Sequence, residues 1–473
     1  MNIKKIMSIM AMITMISVIF APAAVTADAG SDGTSADMIK VGLRYGTTAE
    51  KTYDISSEKG FYIGTLTDGQ FSADLPVSAY TSLTVTSEKG MTEVRSEDGN
   101  VVLTDLGNSV IMPYDHDGDG LVSEGGKKYR GGFMFTENND GTLNLINVLS
   151  LEHYVCGVLN SEMHHMHPIE ALKAQAVAAR SYAKLNRDRH SAYGFDVCTG
   201  THCQVYKGYA NEYEESNRAV RETEGLCIYY GGKTVPAFYF KNSGGHTQNV
   251  EDVWGSHDGY LRGVKEIYSP EYKWTAEFTF GEREKKLRSG GHDIGSLRDV
   301  EIVSHNSAGA VDTLRFTGSK GKYEISGEKV RTFFGYGAVK STMFSMEKVS
   351  GNGNVTPAPA ADGKVYIKDA FSGRLSEMPE RAAVAGASGF VSVADTDKLY
   401  MTNGHSTVKV VRGENKPAED GDKGGNSRGS VIFRGSGYGQ GIGLPQDSAI
   451  EMAKQGFTYD EILKYYYTGI EIK

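Results

Sequence analysis

The chain has 473 residues, with 50 Lys and Arg, 59 Asp and Glu, 58 Gly and four Cys. The formal net charge of −9 argues against nonspecific nucleic-acid binding, so no nucleic-acid partner is expected. An apolar fraction of 39% is typical of a soluble globular protein and excludes wholesale disorder. Four cysteines are too few for a disulfide scaffold of this length, so they need a local explanation.

The first 27 residues have the pattern of a secretory signal. Lys4 and Lys5 precede an apolar run over 6–20, and Val25-Thr26-Ala27 offers a small-residue cleavage site. An uncleaved N-terminal anchor is the alternative, although the run is shorter than the ~20 residues that usually span a membrane. Residues 28–37 are small and polar and predict a disordered leader. We therefore expect a protein that is secreted or held at the extracytoplasmic face of the membrane or in the cell wall.

The residues from 38 to about 148 alternate like strands, as in Ile39–Tyr45 and Thr142–Asn147, and predict a β-rich first part. From Ser150 the period changes to that of a helix. The strongest helical signal then runs from Pro168 to about Arg187, because a proline at the first position is followed by many alanines.

Short strands and turns are predicted over 220–345, and two short helices close the chain. One helix covers 445–455, and a capping box from Thr458 to Glu461 opens the other. The expected fold class is α+β: a β-rich N-terminal part, a central Ala-rich helix with Glu162 before it, and a mixed β/α remainder that forms a two-lobed groove. We expect one domain made of 38–350 and 430–473, interrupted by an insertion at 351–429 with flanking linkers.

A carboxylate lies between the two central helices. Glu162 stands between Leu159 and Met163, where partial desolvation would raise its pKa and make it a general acid near neutral pH. Spacing alone favours the simpler reading of a capping or solvated glutamate. Arg180, within the Ala-rich helix, could clamp an acidic substrate group, and an ordinary surface arginine is the alternative.

Two thiols and an imidazole fall within six residues of one loop. Cys198, His202 and Cys203 can together bind one zinc ion, and His190 is a candidate for the fourth ligand. A Cys198–Cys203 disulfide, which an exported location permits, and two inert thiols remain as alternatives. The other two cysteines stand alone and are expected to fill apolar space.

Two further patterns resemble metal sites but have simpler readings. His164, His165 and His167 follow Glu162 directly, yet no carboxylate completes an HExxH motif, so a structural or substrate-contact role is favoured. The acidic run 115–119 starts like a calcium loop, but Gly126 at position 12 cannot supply the bidentate carboxylate, so an acidic turn is expected.

Glycines alternate with larger residues from Gly437 to Gly443, which would let another backbone or a polymer approach one bare face. Ser243–Thr247 is a similar Gly-containing turn. We expect these turns to wall a binding groove. The residues of these turns predicted to contact substrate are Ser243, Gly244, Gly245, Thr247, Tyr438 and Gln440.

In combination, these motifs resemble the stage II sporulation protein D (SpoIID/LytB) family, over most of 38–350 and 430–473. The matching stretches are Tyr154–Met163, Pro168–Ala183, Cys198–Tyr206, Ser243–Thr247, Asp252–Gly255, Gly437–Gly443 and Tyr459–Tyr467. The resemblance implies a lytic transglycosylase that cleaves peptidoglycan between N-acetylmuramic acid and N-acetylglucosamine with a 1,6-anhydro product, in sporulation and engulfment or in wall remodelling. It implies that Glu162 is the catalytic acid, that Arg180 is an active-site residue, and that Gln204 and Tyr206 contact substrate. It also implies that the cysteine loop is a structural zinc site.

Two rival functions remain open. The first is a noncatalytic modifier that binds glycan strands and stimulates a cell-wall amidase, as part of a set of engulfment proteins. The second is a hydrolase that activates water on zinc at the cysteine loop. Glycan strands are the expected partner under the transglycosylase reading and the modifier reading.

Overall fold

The computed structural model describes residues 37–67, 69–88, 90–115, 120–350 and 429–473, and the backbone of seven short strands between 355 and 409. The predicted signal at 1–27, the leader except Asp37, most of the acidic run 115–119 and the insertion apart from the backbone of those strands and residue 429 lie outside the described residues. Those predictions therefore stay predictions.

The first part of the chain is built from two antiparallel sheets. Its strands are β1 (Met38–Arg44), β2 (Thr52–Ser56), β3 (Phe61–Thr67), β4 (Gln70–Val77), β5 (Ser82–Glu88), β6 (Met91–Ser96), β7 (Val101–Thr104), β8 (Val110–Pro113), β9 (Leu121–Glu124), β10 (Lys127–Arg130), β11 (Gly132–Glu137) and β12 (Leu143–Ser150). One sheet has the order β10-β9-β2-β5-β6-β7. The other has the order β1-β12-β11-β8-β3-β4, and the two-residue strand β13 (Val197–Cys198) adds parallel to the edge of β1.

Eight α-helices occur in the described residues. They are α1 (Leu151–Glu162), α2 (Ile169–Leu185), α3 (Glu214–Arg221), α4 (Val250–Trp254), α5 (Phe280–Ser289), α6 (Glu328–Phe334), α7 (Gln446–Lys454) and α8 (Tyr459–Tyr466). The Ser150 hydroxyl caps α1 by accepting from the His153 N–H at 3.2 Å, and Pro168 is the residue before α2. Both central helices thus lie within two residues of their predicted bounds.

The remaining strands form small sheets. They are β14 (Ile228–Tyr230), β15 (Lys233–Thr234), β16 (Tyr239–Phe240), β17 (Lys273–Thr279), β18 (Leu297–His305), β19 (Val311–Gly318), β20 (Lys322–Ser326), β21 (Phe344–Val349), β22 (Val355–Pro357), β23 (Tyr366–Lys368), β24 (Leu375–Glu377), β25 (Ala382–Gly386), β26 (Gly389–Val393), β27 (Tyr400–Thr402), β28 (Thr407–Lys409), β29 (Ser430–Ser436), β30 (Leu444–Pro445) and β31 (Glu471–Ile472). The strand β29 pairs between β17 and β21, which brings the chain on both sides of the insertion into one sheet.

Two hydrophobic cores hold these elements. The larger core contains α1, which packs on β1 and β12, and α2, which packs on α1, α7 and α8. The smaller core lies around Phe433 and Phe334, within the segment from Trp274 to Met346 and strand β29. The predicted α+β class with a β-rich N-terminal part is confirmed. Among the described residues, no helix is long and apolar enough to cross a membrane.

Candidate active site

Glu162 is the last residue of α1 and lies partly buried where three other segments meet. One carboxyl oxygen accepts the Val205 N–H at 3.2 Å, and the Tyr239 and Gln446 side chains also bond the carboxyl. Burial raises the pKa of Glu162 above its ordinary value, and these hydrogen bonds counteract part of that rise because they favour the ionised form. The site therefore has a carboxyl whose affinity for a proton is raised by burial.

A chain of hydrogen bonds orients the tyrosine that contacts Glu162. Tyr154 donates to Gln204 Oε1 at 3.2 Å, and Gln204 Nε2 donates to the Tyr239 hydroxyl at 3.1 Å. Gln204 Nε2 also reaches the Ala179 carbonyl at 3.3 Å, which fixes the orientation of the amide. With its oxygen accepting from Gln204, the Tyr239 hydroxyl is free to donate its proton to the Glu162 carboxyl.

The C-terminal part of the chain supplies the other neighbour of Glu162. The strand β30 pairs in parallel with β16, and this pairing sets Gln446 at the start of α7 against the end of α1. Gln446 Nε2 donates to the Glu162 backbone carbonyl at 3.1 Å and approaches Gln175 Oε1 at 3.4 Å. The end of α1, which lacks helical partners for its last carbonyls, is thereby held by a buried amide.

The four residues predicted as metal ligands come together. One ligand atom from each of His190, Cys198, His202 and Cys203 lies within 4.8 Å of the others. The Cys203 sulfur is 3.4 Å from His190 Nε2 and 3.6 Å from His202 Nδ1, and the Cys198 sulfur is 3.9 Å from the same His202 nitrogen. In a tetrahedral zinc site with bonds of about 2.0–2.3 Å, ligand atoms are about 3.3–3.8 Å apart, and these three distances lie in or just above that range.

The chemistry of these ligands agrees with that fit. Both thiols are free in the structure, so the disulfide alternative is not realised here. Burial raises the pKa of the Cys203 thiol to about 11, and only a nearby cation would hold it as a thiolate at neutral pH. Burial also lowers the pKa of His190, which favours the neutral imidazole that ligates metals.

The cysteine loop leads directly into the residues that hold Glu162. The Cys203 N–H donates to the Gly200 carbonyl at 3.0 Å, and the Tyr206 N–H returns to the Thr199 carbonyl at 3.2 Å. Between them lies Val205, whose N–H bonds the Glu162 carboxyl. A cation in the cluster would therefore fix the loop that positions Glu162.

Arg180 is placed away from this carboxyl. It is 1% exposed, and its guanidinium forms a bidentate pair with Glu152, with both N–O distances at 2.7 Å. A further N–H donates to the Leu226 carbonyl at 3.0 Å. Glu152 is in the first turn of α1, at the opposite end of the helix from Glu162. The structure gives Arg180 a buried structural partner in place of the expected substrate clamp.

Half of the predicted substrate contacts are inside the protein. Gln204, Tyr206, Ser243 and Thr247 are each at most 5% exposed. The Tyr206 hydroxyl donates to Asn147 Oδ1 at 2.7 Å, and the Thr247 hydroxyl accepts the Val264 N–H at 2.8 Å. Because a polymer cannot reach these side chains, their expected role as substrate contacts is replaced by a structural one.

The other predicted contacts lie at or near the surface. Tyr438 is 37% exposed, and its ring lies 5.2 Å from Lys340 Nζ. Gly245 is exposed, and Gly244 and Gln440 are partly exposed. These four remain available to a ligand.

The glycine run serves to pack backbone on backbone. Gly437, Gly439, Gly441 and Gly443 all have positive φ, between 82° and 132° for the first three and 78° for the last. A Cβ on Gly443 would lie 2.1 Å from the Phe238 carbonyl oxygen. The sequence allowed either another backbone or a polymer to approach this run of glycines. In the structure, another backbone approaches it.

Sequence reasoning missed Tyr239 and Gln446. Neither stands in a pattern of its own, and each reaches Glu162 only through the pairing of two-residue strands. The position of Gln446, three residues after the last glycine of the run, is the one local signal that could have singled it out.

Comparison with known proteins shows which family this chain resembles. Residues 139–230, which include Glu162, Arg180 and the cysteine cluster, match the family model SpoIID, described as stage II sporulation protein. The chain is 27% identical over 350 residues to an uncharacterised protein of Brachyspira hyodysenteriae, covering 73% of both. It is 27% identical over 342 residues to stage II sporulation protein D of Bacillus subtilis, covering 68% of this chain and 74% of that one. It is also 28% identical over 330 residues to an amidase enhancer of Bacillus subtilis, covering 66% of this chain and 39% of that protein. The resemblance to the SpoIID family is thus confirmed.

Proposed function

We propose that this protein is a peptidoglycan lytic transglycosylase in which Glu162 acts first as a general acid and then as a general base. The observation that carries the proposal is the partly buried Glu162 carboxyl, with its raised pKa and its three hydrogen-bond donors. A carboxyl that holds its proton more tightly can donate it to a leaving oxygen, and a carboxylate held by donors can take the proton back. The similarity to stage II sporulation protein D supports a substrate in the cell wall.

The chemistry needs one carboxyl group. Glu162 gives its proton to the glycosidic oxygen as the bond from that oxygen to the muramic acid C1 breaks. The 6-hydroxyl of the same sugar forms a new bond to C1, and its proton passes to the Glu162 carboxylate, which regenerates the acid. The products are two shorter strands, one with a new free hydroxyl and the other with a 1,6-anhydro end. Because the nucleophile belongs to the substrate, no second carboxylate has to position a water, unlike in ordinary glycosidases.

The cluster of His190, Cys198, His202 and Cys203 is proposed as a structural zinc site. When bound, the ion would supply a fixed crosslink between these four residues, and the loop up to Val205 would keep its N–H directed at Glu162. The proposal includes an extracytoplasmic location, since the wall polymer lies outside the membrane and the first 27 residues read as a signal or anchor.

The test compares Glu162→Gln with wild type on purified sacculi, using mass spectrometry to detect anhydro ends. Glutamine keeps the size of the side chain and one acceptor oxygen but cannot donate an acidic proton, so anhydro product should fall by at least about 100-fold. Glu58→Gln is the matched control, because that side chain is 87% exposed and forms a surface ion pair with Lys128 at 3.3 Å. Anhydro ends at the wild-type rate from Glu162→Gln would refute the proposal.

A second candidate function follows from the relative named an amidase enhancer. In that case the protein would bind glycan strands and raise the activity of a cell-wall amidase without cleaving the glycan itself. Glu162→Gln would then stimulate the amidase as well as wild type, and neither would release anhydro ends. Measuring stem-peptide release by an added amidase in the same digests separates the two functions.

A further inference from the structure

Three rings are stacked directly beyond Glu162. His164 and His165 have centroids 4.3 Å apart at 29°, and His165 and Tyr213 have centroids 3.8 Å apart at 8°. Tyr213 is the residue immediately before α3 and is 44% exposed. His164 is also exposed. None of the three belongs to either hydrophobic core. Tyr213 and His164 therefore leave part of their side chains open to solvent, at the turn that follows the proposed catalytic residue in the chain.

The last turn of α1 holds this stack in place. The backbone N–H and Nδ1 of His165 both contact Asn160 Oδ1, at 2.7 and 3.0 Å. The Asn160 amide donates to Asn211 Oδ1 at 3.2 Å, and the Asn211 amide donates to Ser161 Oγ at 2.7 Å. The rings are thus fixed to the turn that ends at Glu162, so a ligand on them would be held at a defined position relative to the carboxyl.

One ring nitrogen of each histidine is already engaged within the fold. His165 Nδ1 is taken by Asn160, and His164 Nδ1 accepts the Met166 N–H at 3.3 Å. Within the part of the chain that the structure describes, the group of residues able to hold a metal is the cysteine cluster. What the stack offers a ligand is its ring faces and the partly exposed amides of Asn160 and Asn211.

We propose that His164, His165 and Tyr213, with Asn160 and Asn211, form a glycan subsite that holds a sugar of the strand a short distance from the bond cleaved at Glu162. The proposal rests on the function proposed for Glu162 and adds the place where the polymer lies. The C–H face of a pyranose packs on an aromatic ring, and amide groups pair with its hydroxyl and N-acetyl groups. The expected ligand is the glycan strand, because the stack is attached to the turn that carries Glu162.

The binding test uses glycan strands freed of stem peptides, in a Glu162→Gln background so that no strand is cut. Tyr213→Ala should bind these strands about three- to tenfold more weakly, in line with the loss of one aromatic contact. His164→Ala, at an exposed position, should weaken binding in the same direction. Tyr213→Phe keeps the ring and should bind like the parent. Tyr336→Ala, which removes a tyrosine that is 49% exposed in the region of the smaller core, is the matched control.

The kinetic test uses the chain with Glu162 intact. Tyr213→Ala should raise KM for long strands while kcat stays within about twofold, and short oligosaccharides that do not reach the stack should be cleaved as by wild type. Unchanged binding in both Tyr213→Ala and His164→Ala would overturn the subsite, even if Glu162 is confirmed as the acid. Weakened binding together with normal cleavage by Glu162→Gln would instead overturn the proposed catalysis and keep the subsite. Loss of amidase stimulation with unchanged glycan binding would identify a protein-docking surface and overturn the glycan assignment.

Discussion

Replacing Arg180 separates a structural role from a catalytic one. Arg180→Ala would remove a guanidinium that is 1% exposed, together with two 2.7 Å bonds to Glu152 and one 3.0 Å bond to the Leu226 carbonyl. Breaking a buried ion pair by removing one partner costs about 3–5 kcal/mol. Because the Glu152 side chain is 26% exposed and can regain some hydration, we expect about 3 kcal/mol of lost unfolding free energy.

The assay is urea unfolding followed by far-ultraviolet circular dichroism, with glycan cleavage measured on the folded protein. Arg218→Ala is the control, since this arginine has a side chain that is 52% exposed and should cost less than about 0.5 kcal/mol. Arg180→Lys should lie between the two, because one ammonium cannot reproduce the bidentate pair and the carbonyl contact together. If Arg180→Ala unfolds like wild type but makes no anhydro product, the structural assignment is refuted, and Arg180 serves the reaction as the family resemblance implied.

Two further predictions concern the surroundings of Glu162. Wild type purified without chelators should carry about one zinc per chain by mass spectrometry, and Cys203→Ser should carry little. Cys227→Ser is the control and should keep the metal, because Cys227 is a buried cysteine outside the cluster. Equal amounts of zinc in all three proteins would contradict the zinc site. Tyr239→Phe removes a hydrogen bond that lowers the pKa of Glu162, so that pKa should rise and the alkaline limb of kcat/KM should move to higher pH, because the acid must be protonated to act. An alkaline limb that stays in place, or moves to lower pH, would mean that another group controls the rate.

The sequence predicted those parts of the site whose geometry is local. The period of apolar residues placed α1 and α2 within two residues, and so placed Glu162 at a helix end. The cysteine cluster was predictable because three of its ligands fall within six residues. Gln446 was not, since it lies 284 residues from Glu162 and is brought there by a parallel strand pair.

Burial was the property that local patterns failed to predict. Gln204, in a loop rich in polar residues, looks like a substrate contact, but it is 1% exposed because Tyr154, Ala179 and Tyr239 surround its amide with partners. Arg180 was ambiguous for a similar reason. Whether a helical arginine faces solvent or a buried carboxylate depends on the helix packed against it, and that helix brings Glu152 from 28 residues away.

The surroundings of Glu162 suit a mechanism in which one carboxyl both gives and takes a proton. Burial alone would push its pKa upward until the group could no longer act as a base, and donors alone would pull the pKa down until it could no longer act as an acid. Here burial is the larger effect, and it is opposed by Val205, Tyr239 and Gln446, which belong to three separate segments. Docking of the cysteine loop, β16 and the start of α7 is therefore what sets the proton affinity of the carboxyl. Loosening any one of them should shift the pH dependence of the reaction before it unfolds the protein, because each contributes one donor and none contributes the whole enclosure.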